Sequence, residues 1–117
     1  MVPNSMETLS SSEVVNCIKV ISDPTRLLMM KLVEKKEYCV CQFVDMFDIS
    51  QPATSQHLRK LREAGLVKEN RRGQWRFYSM NESAPQASIV KGILSQIDEE
   101  DQQYLQLLEK EAPVDCQ

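Results

Sequence analysis

The sequence predicts a mainly α-helical domain carrying one small β-hairpin, arranged as a winged helix-turn-helix. Three observations predict it. Residues 38–65 read as two short helices around the break Asp48-Ile49-Ser50-Gln51-Pro52. Residues 66–70 and 74–80 alternate with the two-residue period of strands about Arg71-Arg72-Gly73. A chain of 117 residues, 42% of them hydrophobic, suffices for one modest core. The expected organisation is a loose arm over residues 1–8, one domain over 9–110 and a loose tail over 111–117.

From Leu9 the apolar residues Val14, Val15, Ile18 and Ile21 recur at helical spacing, with Ser10 to Ser12 offering capping oxygens. Cys17 falls on or beside that stripe, where it serves either as a small core residue or as a thiolate ligand. Asp23-Pro24 is a helix start, Asp as the cap and Pro in the first helical position. That helix runs to about Lys36 and buries Leu28, Leu32 and one of Met29 or Val33, leaving Lys31, Lys35 and Lys36 outside. Glu37 and Tyr38 form an extended link.

The helix over 40–47 turns Phe43, Val44 and Phe47 inward. Ser50 caps the next helix and Pro52 sits in its first turn, where a missing N–H costs nothing. Thr54, Leu58 and Leu61 form its inward stripe, and Gly65 supplies the left-handed residue that ends it. The hairpin follows directly, as a wing. Beyond Pro85 the residues Val90, Ile93, Leu94, Ile97, Tyr104, Leu105 and Leu108 predict one long helix that packs on a copy of itself.

The net charge of −3 hides a strong asymmetry. Residues 59–76 hold seven basic side chains against Glu63 and Glu69, a local balance of +5. Residues 98–117 hold seven acids against Lys110, or −6. A basic face with an acidic end elsewhere suits a nucleic-acid partner. The first ten residues show no secretory signal and no apolar run reaches membrane-spanning length, so a cytoplasmic protein with reduced cysteines is expected.

Two sets of residues carry chemistry. Gln51, Ser55, Gln56 and His57 begin the second helix with donors and acceptors suited to base edges in a major groove. Arg59, Lys60, Arg62, Arg71 and Arg72 suit phosphates, which position a protein without reading sequence. For His57 the competing reading is a packed or capping residue. The second set is sulfur. Cys39 and Cys41 lie at the start of the first helix, where thiol ionisation is favoured, and form a soft chelate. Residues i and i+2 of an α-helix point roughly 200° apart, so joint ligation requires the backbone around Val40 to be extended or unwound, and ion binding is expected to distort the first turn of this helix.

At these residues the chain resembles the ArsR/SmtB family of winged-helix metalloregulatory repressors. The resemblance covers about residues 22–80 and rests on Ser22-Asp23-Pro24-Thr25-Arg26, on Cys39-Val40-Cys41, on the segment from Ser50 to Leu61, and on Gly65-Leu66-Val67 with the wing. It implies a homodimer on a palindromic double-stranded operator, released when a metal or metalloid binds. Zinc and nickel sites on the last helix of such proteins need several His, and this chain has none after His57. Cys-Val-Cys is the family's mark of arsenic(III)/antimony(III) sensors and of some cadmium/lead sensors. The N-terminal arm has no cysteine, which points to arsenite. Some members place a third Cys three residues after the pair, where this chain has Val44. The resemblance therefore leaves the third ligand to Cys17, preferred here, to Cys116, or to another source.

Catalysis is not expected: a thiol-disulfide enzyme wants C-x-x-C in a βαβ setting, and no Ser–His pocket is indicated. The alternatives kept open are a cadmium/lead-responsive or thiol-redox-responsive repressor of the same fold, and a winged helix that binds protein instead of DNA.

Overall fold

The computed structural model describes residues 8–114. Six helices and three short strands follow in the order α1 (Ser11–Ile21), α2 (Pro24–Val33), β1 (Tyr38–Cys39), α3 (Val40–Phe47), α4 (Gln51–Glu63), β2 (Val67–Arg72), β3 (Trp75–Met80), α5 (Ala87–Leu94) and α6 (Gln102–Glu109). The strands form one antiparallel sheet in the order β1-β3-β2. This is the predicted winged helix-turn-helix. The expected arm falls almost wholly outside the described residues.

Local chemistry sets most of the boundaries. Ser10 caps α1 in a reciprocal box with Glu13: the Glu13 N–H donates to Ser10 Oγ at 3.1 Å, and the Ser10 N–H donates back to Glu13 Oε1 at 2.8 Å. Asp23 accepts from the Arg26 N–H at 3.0 Å, and Ser50 from the Ala53 N–H at 3.2 Å, each with proline in the following turn. Between α3 and α4, Asp48 takes a left-handed backbone (φ 56°), a conformation a short polar side chain tolerates, and this fixes the sharp angle of the turn. Gly65 (φ 81°) ends α4, and Gly73 (φ 63°) makes the hairpin turn that brings Arg72 opposite Trp75.

Thr54, Leu58 and Leu61 of α4 are fully buried against α2, α3 and the sheet, as their spacing requires. Phe43 joins them, stacked on Tyr38 with ring centroids 5.3 Å apart. The extended link before α3 becomes a strand, because Tyr38 and Cys39 pair with Tyr78 and Phe77 of β3.

Four expectations need correction. The apolar stripe after Pro85 is not one helix. Ser95 Oγ donates to the Gly92 carbonyl (2.7 Å), Asp98 accepts from the Glu100 N–H (2.9 Å), and Asp101 caps α6 through the Tyr104 N–H (3.0 Å). These local bonds break the helix, and Val90, Leu94, Tyr104 and Leu107 lie in the protomer's own core, while Ile93, Ile97 and Leu105 are half-buried and Leu108 is exposed. On α1 it is Cys17 and Ile21 that turn inward, while Val15 and Ile18 stay about half exposed. In α2 the buried run is Met29 to Val33, with Leu28 only half-buried.

Lys31 is the fourth. It is only 3% exposed, its Nζ donating to Glu99 Oε2 at 2.9 Å and to the Leu94 carbonyl at 3.3 Å. Tyr104 offers its ring face 5.6 Å away, so the ammonium keeps its charge satisfied while its stem packs. Lys31 thereby ties α2 to the turn between α5 and α6.

Candidate functional site

Cys39 closes β1 with extended backbone (φ −81°, ψ 151°) and at the same time stands as the N-cap residue of α3. Only Cys41 is inside the helix. The 200° divergence expected of two helical residues therefore does not arise, and the two Sγ atoms lie 3.2 Å apart. Two metal–sulfur bonds of about 2.3 Å at a tetrahedral angle span roughly 3.7 Å, so the pair can share one ion with a small opening. Cys39 supplies the extended backbone that joint ligation requires. Cys39 is buried and Cys41 half-buried, at the positive end of the α3 dipole. Cys41 is disulfide-bonded in this structure and offers a thiolate after reduction.

The sulfur pair opens into a cleft of about 220 Å³. Its other walls are Val40, Val44 and Asp45 of α3, Gln51 at the start of α4, and Gln74, Trp75 and Arg76 of the wing. The thiol pair, the first residue of the reading helix and the wing thus meet in one space. Cys17 does not line it. That thiol lies in the α1 core, and burial pushes its pKa up, away from the ligating form. Among the described residues no three His, Cys, Asp or Glu side chains converge on one point, and Cys116 lies outside them.

The residues expected to meet DNA divide. Gln51, Gln56, Arg59 and Lys60 are exposed on α4, and Arg71 is exposed on the wing. Arg59, Lys60 and Arg71 make no ion pair among the described residues. Arg62 pairs with Glu69 at 2.5 Å, and Arg72 with Glu37 at 2.5 Å, so each would exchange a carboxylate for a phosphate. Ser55 is half-buried and accepts from Arg76 Nη2 at 3.3 Å.

His57 is half-buried at the margin of α4. Its Nδ1 accepts from Arg26 Nη1 at 3.2 Å, with Asp23 Oδ2 at 3.8 Å, so it joins α4 to α2. Burial depresses its pKa, Arg26 and Lys60 push the same way, and Asp23 opposes them. As pH falls through about 6.5, the unfolded chain takes this proton first, so stability drops until the folded pKa is passed. We expect the urea midpoint to fall between pH 7.5 and 5.5, and to fall less in His57→Gln.

Sequence reasoning missed Arg76. It stands opposite Arg71 across the hairpin, and that like-charge pair is relieved because Arg76 leans to Ser55 and to Glu69 (3.9 Å). The two-residue alternation of the hairpin gave no sign of its contact with α4.

Comparison with known proteins adds the context. The sequence pattern described as "Bacterial regulatory protein, arsR family" matches residues 23–69. Over 65% of its length the chain is 38% identical to the arsenic resistance transcriptional regulator ArsR1 of Pseudomonas putida, spanning 62% of that protein. It is 39% identical, over 69% of its length, to an uncharacterized HTH-type transcriptional regulator of Methanocaldococcus jannaschii, covering 86% of it. The crystal structure of the transcriptional repressor BigR from Xylella fastidiosa superposes with a TM-score of 0.64 at 31% identity, over 84% of this chain and 98% of that one.

Proposed function

Because the chain belongs to the arsR family of bacterial regulatory proteins, which are DNA-binding transcriptional regulators and not enzymes, we propose that it is a metalloid-responsive repressor. It sits as a homodimer on a palindromic operator and leaves when arsenite or antimonite binds the thiolates of Cys39 and Cys41. One observation carries this reading: the convergent sulfur pair opens into the cleft shared by Gln51 of α4 and by Trp75 and Arg76 of the wing. An ion held there lies against both elements that meet DNA.

Gln51, Ser55 and Gln56 face base edges in this reading, with Arg59, Lys60, Arg62, Arg71 and Arg72 on phosphates. His57 serves by holding α4 on α2. The half-exposed Val15 and Ile18 of α1, with Leu108 of α6, offer apolar surface for a second copy. No helix among the described residues is long and apolar enough to cross a membrane.

The test is a fluorescence-anisotropy titration of the reduced protein on a palindromic duplex. Arsenite and antimonite are expected to release it, and cadmium or lead to do so weakly. Release by cadmium alone would move the signal to a different ion. Arg71→Ala is expected to weaken every duplex alike and lower the salt slope by about one.

A second reading, a thiol-redox repressor, is favoured by the disulfide-bonded state of Cys41. Loss of operator with a mild oxidant and no ion, regained on reduction, would select it.

A further inference from the structure

We propose that Arg76 of the wing sets base specificity without touching a base: it fixes the Ser55 hydroxyl as a hydrogen-bond donor toward DNA, so that cytosine is rejected where Ser55 reads. The proposal rests on the reading that α4 enters the major groove. One contact between wing and helix carries it: Arg76 Nη2 donates to Ser55 Oγ at 3.3 Å. A guanidinium has five N–H donors, no acceptor and a permanent charge, so this bond runs in one direction only.

A serine hydroxyl is ordinarily ambiguous, with one proton to give and two lone pairs to receive, and it meets base donors and acceptors alike. The cation removes that ambiguity. It turns the negative end of the hydroxyl dipole toward itself and the proton away. The neighbouring Thr54 shows the alternative, since its Oγ1 donates to the Ser50 carbonyl at 2.9 Å and so spends its proton inside the helix. Among the described residues no carbonyl takes the Ser55 proton in that way. Ser55 is half-buried on α4 between Thr54 and the exposed Gln56, and its proton is left for the groove.

The guanidinium is itself held. Arg76 is half-buried, its Nη1 faces Glu69 Oε2 at 3.9 Å, and Arg71 opposite it on β2 repels it from the other side. Glu69 is shared with Arg62, at 2.5 Å. When Arg62 exchanges that carboxylate for a phosphate, Glu69 is left to Arg76 alone, and the hold on Ser55 tightens on DNA. The base edges supply the consequence. In the major groove guanine offers N7 and O6, adenine N7 and thymine O4 as acceptors, whereas cytosine offers only its N4 donor. A fixed donor is met by three bases and opposed by the fourth.

The experiment selects tight-binding duplexes from a random-sequence library with the reduced full chain, for the parent and for Ser55→Ala. Fluorescence anisotropy then compares the four bases at the position whose preference Ser55→Ala abolishes. The parent is expected to bind the cytosine duplex about ten-fold more weakly than the best one, the scale of one unmade hydrogen bond. Arg76→Met keeps the length of the stem without its donors, and is expected to bring that ratio to about three-fold or less. Arg71→Ala, which removes a phosphate contact, should weaken all four duplexes and leave the ratio as it was. In a Ser55→Ala background, Arg76→Met should leave base preference unchanged, because the two side chains act as one unit. Cytosine still rejected by Arg76→Met, a uniform loss of affinity across all four bases, or no position altered by Ser55→Ala would overturn the proposal. A parent that enriches no sequence would instead remove the DNA reading on which it rests.

Discussion

Replacing Cys39 and Cys41 together by serine is expected to uncouple the protein from its effector while leaving it on DNA. Allosteric effectors typically change a second site's affinity 5–150-fold. Arsenite is expected to weaken operator binding by a factor in that range in the parent, and by less than about two-fold in the double variant. Serine keeps the extended backbone at position 39 and its pairing with Phe77, so the wing stays in register. It offers hydroxyls, which are poor ligands for a soft ion at neutral pH. Anisotropy titrations of both proteins on one duplex, with and without arsenite, measure the two factors directly.

Leu58→Ala is expected to produce the largest loss of stability. Leu58 is fully buried on the inward face of α4, between Thr54 and Leu61. Truncating such a leucine costs about 2–5 kcal/mol, because the methyl groups lose their contacts and the cavity collapses only in part. Against a typical total of about 5–15 kcal/mol, this is a large share for so small a domain. Urea unfolding should show a lower midpoint with an unchanged slope. Operator affinity per folded molecule should change little, since Gln56, Arg59 and Lys60 are exposed and point away from the Leu58 side of the helix.

What was legible in the sequence was mostly local. The caps Asp23 and Ser50, the prolines after them and the glycines at 65 and 73 each act within a few residues, so their chemistry fixes helix ends and the hairpin turn without knowledge of the rest. The inward stripe of α4 was legible for the same reason. Contacts between distant residues were not. Lys31 reads as a surface lysine until Glu99, far along the chain, is brought to it. The break between α5 and α6 was hidden because Val90 and Leu94 of one helix and Tyr104 and Leu107 of the other reach one core, so the periodicity runs on through a bend.

The site shows the same division. Cys39 and Cys41 announce themselves by type and spacing. Their convergence does not, because it depends on β1 pairing with β3, which ends the extended chain at Cys39 and starts α3 one residue later. His57 was placed with the base-reading residues by its position on the helix margin, and the Arg26 side chain of α2 claims it. The contacts of Arg76 with Ser55 and of Tyr38 with Glu111 likewise are tertiary ones that no spacing encodes.

Trp75 is the chain's only tryptophan, and it walls the cleft beside the sulfur pair. Its fluorescence reports the site while the anisotropy of a labelled operator reports the groove face, in one titration of the reduced complex with arsenite. The account predicts that both signals move together and saturate at the same concentration. Operator release with Trp75 unmoved, or a saturated Trp75 change with the operator still bound, would contradict it.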